Sequence, residues 1–138
     1  MIDFNDVPKV ELDFMNHDHE EATNLVNQLQ SLIEAAESGE DKTEEITQAL
    51  KALYKHNEEH FAREEEQMQK FNFPPFPVHQ GEHQRVLEVM QEEIEAWQAG
   101  QNIARLKSYI VDTLPRWFIS HIESMDTVTA MFIARSSS

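Results

Sequence analysis

The chain carries four stretches in which apolar side chains recur every three or four residues. These stretches cover residues 15–36, 46–71, 79–97 and 103–132. The recurrence places each apolar set on one face of an α-helix. Gly39, the run 73–77 (Phe-Pro-Pro-Phe-Pro) and Gly100 separate the stretches, and helices characteristically end at such residues. The sequence therefore predicts four amphipathic helices.

The connections between these helices are short, and short connections make consecutive helices antiparallel. We therefore expect one all-α domain over residues 1–138, an antiparallel up-down-up-down four-helix bundle covering about residues 12–133. The first eleven residues contain Pro8 and mixed polarity, which predicts an irregular N-terminal arm. Pro115 lies inside the fourth helix and is expected to kink it, because its ring removes a donor and crowds the preceding turn.

Composition narrows the functional classes. Eleven basic and twenty-six acidic side chains give a net charge of −15, which repels nucleic-acid phosphates and anionic lipids. The absence of cysteine excludes disulfides, thiolate metal sites and iron–sulfur clusters. No apolar run approaches the ~20 residues that a membrane helix needs. We expect a cytoplasmic protein, most simply a monomer, without nucleic-acid or membrane partners.

Polar side chains interrupt every one of the four apolar stripes. Five histidines and two carboxylates lie on a stripe or directly beside it: His19, His60, Glu64, His79, His83, His121 and Asp126. A single histidine on an apolar face is usually a hydrogen-bonded core residue. Seven ionisable groups on four facing helices are too many for that explanation, because burying unpaired charges is costly. We therefore predict that these side chains bind metal.

Spacing indicates which of these side chains can reach one centre. Two pairs have members four residues apart and so project from one helix face: His60 with Glu64, and His79 with His83. His121 and Asp126 are five residues apart, a rotation of roughly 140° on a regular helix. Asp126 can therefore join the site only from the flank of its stripe, or if the helix is locally unwound.

Two further histidines, His17 and His56, lie close to the candidate ligands. His17 is two residues from His19, a rotation of about 200°, so only one of the two can face inward. His19 shares its stripe with Met15 and is the candidate. His56 lies one turn before His60 and is expected on the helix surface or as a hydrogen-bonding neighbour of a ligand.

The number and type of these side chains indicate the metal. Five imidazoles and two carboxylates exceed the four ligands of a structural zinc site and are too rich in nitrogen for calcium or magnesium. Two ions that share carboxylates fit the count, and mixed imidazole and carboxylate ligation suits iron. Ferritin-like di-iron bundles use Glu-x-x-His motifs, and no histidine here has a glutamate three residues before it. The sequence thus favours a di-iron site of another family.

The order of these motifs resembles the hemerythrin family, in particular its bacterial single-domain members. A histidine in the first helix is followed by His-Phe-x-x-Glu-Glu with a later methionine, then His-x-x-x-His, then Trp-x-x-x-His-Ile-x-x-x-Asp. These motifs occupy residues 60–68, 79–83 and 117–126, and the match covers about residues 12–133. Each motif alone is weak, but all of them in this order are highly specific.

The resemblance implies reversible O₂ binding at two non-haem iron ions. It assigns three histidines to one ion, two to the other, and both carboxylates to the bridge: His79, His83 and His121; His19 and His60; Glu64 and Asp126. The ion with two histidines would keep a position open for O₂. An oxo or hydroxo group would complete the bridge between the ions.

Apolar side chains next to the ligands are expected to form a dry O₂ pocket. They are Phe61, Trp117, Phe118 and Ile122. Excluding water from such a pocket suppresses side reactions. The chain departs from the family pattern because its arm has no tryptophan, Asn16 replaces an aspartate and Ala22 replaces a leucine. Ala22 is predicted to widen the O₂ pocket or admit water, and so to speed autoxidation.

Two other functions are consistent with the same residues. A di-iron enzyme acting on NO, peroxide or O₂ would use the same scaffold, but the sequence shows no flavin or nicotinamide motif and no cysteine for electron relay. A structural or regulatory bundle whose histidines bind zinc or nothing would be stable and colourless without iron. The ligand count and the open position favour an O₂-binding protein that is not an enzyme.

Overall fold

The computed structural model describes residues 2–136, apart from the side chain of Phe4. The first residue of the predicted arm and the last two of the predicted domain lie outside this range. Four long helices follow one another along the chain: α1 (Asp13–Glu37), α2 (Thr43–Lys70), α3 (Phe76–Gly100) and α4 (residues 103–136). One short 3₁₀ turn, Phe4–Asp6, interrupts the arm.

The helices pack as an antiparallel bundle. α1 packs against α2, α2 against α3, and α4 against both α1 and α3. The connections, residues 38–42, 71–75 and 101–102, are too short for anything but antiparallel neighbours. The described residues contain no strand. The predicted all-α four-helix bundle is confirmed.

Residues in the left-handed conformation reverse the chain at all three connections. Gly39 has φ 101°, and Asn72, just before the prolines of the second connection, has φ 53°. At the end of α3 the left-handed residue is Gln101, with φ 50°, and Gly100 itself is still helical. Asn102 then starts α4, because its side chain accepts a hydrogen bond from the backbone N–H of Arg105.

Apolar clusters fill the bundle on both sides of the polar residues. The larger cluster, which includes Leu29, Leu50 and Ile110, occupies one end. A smaller cluster of Met68, Phe73 and Ile133 closes the other. In an antiparallel bundle the beginnings of α1 and α3 lie beside the ends of α2 and α4. The candidate ligands fall in those segments, and the fold brings them to one level.

α4 is not a regular helix. It alternates between α and π geometry as Ile103–Lys107 (α), Ser108–Thr113 (π), Leu114–His121 (α), Ile122–Asp126 (π) and Thr127–Ser136 (α). Pro115 is the second residue of the α segment that follows the first π stretch. A wide turn directly before Pro115 therefore accommodates the ring in an otherwise continuous helix.

None of the helices in the described part of the chain is long and apolar enough to cross a membrane.

Candidate metal centre

Seven side chains that the sequence singles out meet in one buried cluster between the four helices. Each is at most 5 % exposed: His19, His60, Glu64, His79, His83, His121 and Asp126. Their ligand atoms form two overlapping groups, and within each group all atoms lie within 4.8 Å of one another. Nitrogen and oxygen donors so concentrated could hold metal ions.

The second π turn of α4 explains how Asp126 reaches this cluster. In a π-helix each turn closes between residues five apart, and the Thr127 hydroxyl donates to the carbonyl of Ile122, five residues earlier, at 2.8 Å. The five-residue step from His121 to Asp126 thus becomes a single turn. Asp126 Oδ1 lies 3.1 Å from His121 Nε2. Of the two routes that the sequence left open, the structure takes local unwinding.

Two histidines gather on one side of the cluster. His60 Nε2 lies 2.6 Å from Glu64 Oε2. His19 Nε2 lies 3.0 Å from Asp126 Oδ2 and 3.7 Å from the same Glu64 oxygen. We call these two imidazoles, from α1 and α2, the two-histidine group.

Three histidines gather on the other side, and we call them the three-histidine group. His79 Nε2 is 3.0 Å from Asp126 Oδ1, and His121 Nε2 is 3.1 Å from the same atom. His83 Nε2 is 3.4 Å from Glu64 Oε1. Each carboxylate therefore presents one oxygen to each histidine group.

Some close atoms in the cluster are aligned as hydrogen bonds, such as His60 Nε2 with Glu64 Oε2, but others are near one another without being aimed at one another. Glu64 Oε1, Asp126 Oδ1 and His83 Nε2 are fully buried and have no partner in hydrogen-bonding geometry, despite N···O distances of 3.0 to 3.4 Å. Leaving such atoms unsatisfied is costly. Buried donor atoms that stay unsatisfied and lie within 4.8 Å of one another could hold cations between them, so the donor set fits a metal.

Within the cluster, the pairing of opposite charges shifts the pKa values more strongly than burial does. Burial opposes the charged form of every group here. Even so, nearby imidazoles, above all that of His60, hold the pKa of Glu64 well below its usual range, and histidine side chains lower the pKa of Asp126. Asp126 and Glu64 in turn raise the pKa of His19 from 6.5 to about 9. Without metal, the two carboxylates therefore hold protons on neighbouring imidazoles.

The two histidine groups differ in the hydrogen-bond partners of their Nδ1 atoms. In the three-histidine group, His79 Nδ1 lies 2.9 Å from the Thr129 hydroxyl and His83 Nδ1 lies 3.0 Å from Glu65 Oε2. Gln80 donates to the other Glu65 oxygen at 3.1 Å. The Nδ1 atoms of both members of the two-histidine group are buried without a partner.

Sequence reasoning missed both of these supporting side chains. Glu65 was visible as the second glutamate of His-Phe-x-x-Glu-Glu, but the motif alone gave it no role. Thr129 pairs with a histidine 50 residues away, and no local spacing signals that contact.

The two remaining histidines lie outside the cluster. His17 is 69 % exposed and pairs with Glu21 at 3.0 Å. His56 is buried, its Nε2 lies 3.0 Å from the backbone oxygen of Asp18, and its ring centroid is 5.8 Å from that of His60. Burial lowers the pKa of His56. It is thus a buried neighbour of a candidate ligand rather than a surface residue.

An apolar cavity adjoins the cluster. Its volume is about 20 Å³, little more than the ~10–15 Å³ that one water molecule needs. Cluster side chains His60, His121 and Asp126 form part of its wall. Of the predicted pocket residues, four also line it: Ala22, Phe61, Trp117 and Phe118. Ile122 is fully buried in the apolar cluster with Ala22 and Phe118 and is not among the lining residues.

Polar and aromatic contacts fix the orientation of Trp117 in this wall. Its ring stacks on that of His121, with centroids 4.6 Å apart and planes inclined by 22°. Its Nε1–H donates to Glu82 at 2.7 Å. Arg85, with Trp117, holds the pKa of Glu82 at about 2, so that this carboxylate remains an acceptor. Trp117 is therefore a rigid part of the cavity.

Comparison with known proteins agrees with these features. The profile described as the Hemerythrin HHE cation binding domain matches residues 10–133. A bacteriohemerythrin of Aquifex aeolicus (strain VF5) is 30% identical over 126 residues, which is 91% of this chain and 92% of that protein. A bacteriohemerythrin of Ralstonia nicotianae (strain ATCC BAA-1114 / GMI1000) is 34% identical over 91 residues, 66% of this chain and 65% of the relative. No solved structure matches the chain significantly.

Proposed function

Because the chain belongs to the hemerythrin family, we propose that it binds O₂ reversibly at two non-haem iron ions. The three-histidine group holds one ion and the two-histidine group holds the other. Glu64 and Asp126 would be shared between the two ions. O₂ enters the cavity beside His60 and binds on that side. The protein acts as a carrier, store or sensor of O₂ rather than as an enzyme.

One observation carries this proposal more than any other. Each of the two buried carboxylates turns one oxygen to the two-histidine group and the other to the three-histidine group. A single ion would need only one side of each carboxylate. Two ions that share both carboxylates use all four oxygens and all five imidazoles, which leaves the two-histidine side with fewer protein ligands.

The chain's own residues account for reversibility. A ferrous pair held by these residues would supply the two electrons that O₂ takes up on binding and gives back on release. The cavity has room for a diatomic molecule and little else. Phe61, Trp117 and Phe118 make its wall largely apolar, which disfavours the water that would assist irreversible side reactions.

The proposal is tested by counting iron and O₂ in matched variants. Wild-type protein loaded with ferrous iron is expected to hold two ions per chain and to take up one O₂ per pair, which it releases under an inert gas. His19→Ala is expected to hold one ion and to bind no O₂. His17→Ala, two residues away on the exposed face, is expected to behave as wild type.

Two results would contradict the proposal. If O₂ is consumed and cannot be recovered by purging, reversible binding is refuted, and a di-iron enzyme that acts on O₂, NO or peroxide on the same scaffold becomes the favoured function. If His19→Ala retains both ions, the division of ligands between the two groups is wrong.

A further inference from the structure

The N-terminal arm is fastened to α1 by two asparagine side chains. Asn27 accepts from the backbone N–H of Ile2 and donates to the Ile2 carbonyl, both at 2.9 Å. Asn16 makes the same pair of bonds, also at 2.9 Å, with the backbone of Val10. Each amide side chain thus replaces a neighbouring peptide group and satisfies a backbone donor and acceptor together.

The two asparagines are placed to hold the arm along one face of the helix. They are 11 residues apart, about three helical turns, and so face the same direction. Ala22 lies between them on the buried side of α1. Val7 and Val10 of the arm pack against the cluster of Ala22 and Phe118. The arm therefore covers the part of α1 that faces the cavity.

Ile2 completes the cavity wall. It is the arm residue among those that line the cavity, and Trp117 and Phe118 of α4 line the same cavity. It also packs against both neighbouring apolar clusters. The alanine at position 22 leaves space on α1, and Ile2, held by Asn27, lies beside that space.

We propose that the arm forms the outer wall of the O₂ pocket, that Ile2 controls the entry of small molecules, and that Asn27 is the positioning residue that keeps Ile2 in place. The proposal rests on the proposed function for the identity of the ligand, but the covering of the cavity by the arm is independent of it. Release of the Asn27 bonds frees Ile2, and the cavity then opens to solvent on the side of the arm.

Three variants test this. Asn27→Ala removes both bonds to Ile2, Ile2→Ala shortens the side chain while leaving the backbone bonds, and Asn24→Ala is the control, an exposed asparagine on the same helix. Each is loaded with iron, oxidised, and mixed with azide, a small anion that binds open ferric positions. Amide hydrogen exchange of the peptide covering residues 2–10 is measured in parallel.

Asn27→Ala is expected to speed exchange in the arm about tenfold, since two hydrogen bonds are lost, and to raise the azide association rate by a similar factor. Ile2→Ala is expected to raise the azide rate while arm exchange stays within about twofold of wild type. Asn24→Ala should change neither. Faster arm exchange with an unchanged azide rate would overturn the proposal, as would unchanged arm exchange in Asn27→Ala.

If the chain takes up no iron, the proposed function is refuted. The covering of the cavity by the arm is then tested by a second measurement that needs no iron. In a Trp97→Phe background, Trp117 is the remaining tryptophan and lines the cavity. Acrylamide quenching of its fluorescence should increase when Asn27→Ala is added and not when Asn24→Ala is added. Equal quenching in the two would overturn the covering role of the arm.

Discussion

Removal of the Thr129 hydroxyl should weaken iron binding on the three-histidine side. When His79 binds a metal ion through Nε2, its Nδ1 must carry the hydrogen, and Thr129 Oγ1, which lies 2.9 Å from Nδ1, can accept it. Both side chains are at most 2 % exposed, so water cannot replace the lost partner in Thr129→Val. Partners of this kind commonly change metal affinity by roughly 10- to 100-fold, or about 1.4–2.7 kcal/mol.

The assay is iron retention under a chelator, followed as ions per chain against time. Thr129→Val should lose its first ion roughly 10- to 100-fold faster than wild type. Glu65→Ala, which removes the partner of His83, should have a smaller effect, because Glu65 is 22 % exposed and water can take its place.

Thr23→Val is the matched control. Thr23 is equally buried, but its hydroxyl donates to the backbone oxygen of His19 and not to a ring. It should cost stability without hastening iron loss. If Thr129→Val loses iron no faster than Thr23→Val, the support attributed to Thr129 is refuted.

Three further results are expected. Ala22→Leu should fill pocket space and slow autoxidation, seen as slower loss of the O₂-dependent absorption; an unchanged rate would contradict the role given to Ala22. Because the pKa of His19 in the metal-free chain is raised from 6.5 to about 9, metal uptake near pH 7.5 should release a proton from this side chain. Calorimetry in buffers of different protonation enthalpy detects that proton. Identical heats in all buffers would contradict the proton release. The same pKa shift stabilises the metal-free fold, and this contribution to the free energy of unfolding is on the order of 3 kcal/mol and fully present below pH 6.5. It should be lost as the pH rises through about 9. A urea midpoint that does not fall between these pH values would contradict this prediction.

The sequence predicted the helices because the apolar period and its interruptions are local signals. The stripes of α1 to α3 and the breaks near Gly39 and Gly100 are read from neighbouring residues, and the structure agrees with them to within a few positions. The ligand pairs on α2 and α3 were equally accessible, since four-residue spacing fixes a common helix face. The structure brings all seven candidate side chains together, and their role as iron ligands stays a prediction.

What the sequence could not predict depends on contacts between distant residues. Whether α4 continues in α or π geometry between His121 and Asp126 is decided by packing against the other helices and by the demands of the site, not by local propensity. The bonds of Asn16 and Asn27 to the arm likewise join an irregular segment to a helix. Asn16 was noted only as a departure from a family pattern.

The most direct test of the central claim is a visible absorption spectrum recorded through one gas cycle. Iron-loaded protein is reduced without air, exposed to O₂ and then purged with inert gas. We expect a colourless reduced form, a visible band that appears with O₂, and loss of that band on purging, repeatable over several cycles. Direct conversion to a stable ferric spectrum that purging does not reverse would contradict reversible O₂ binding.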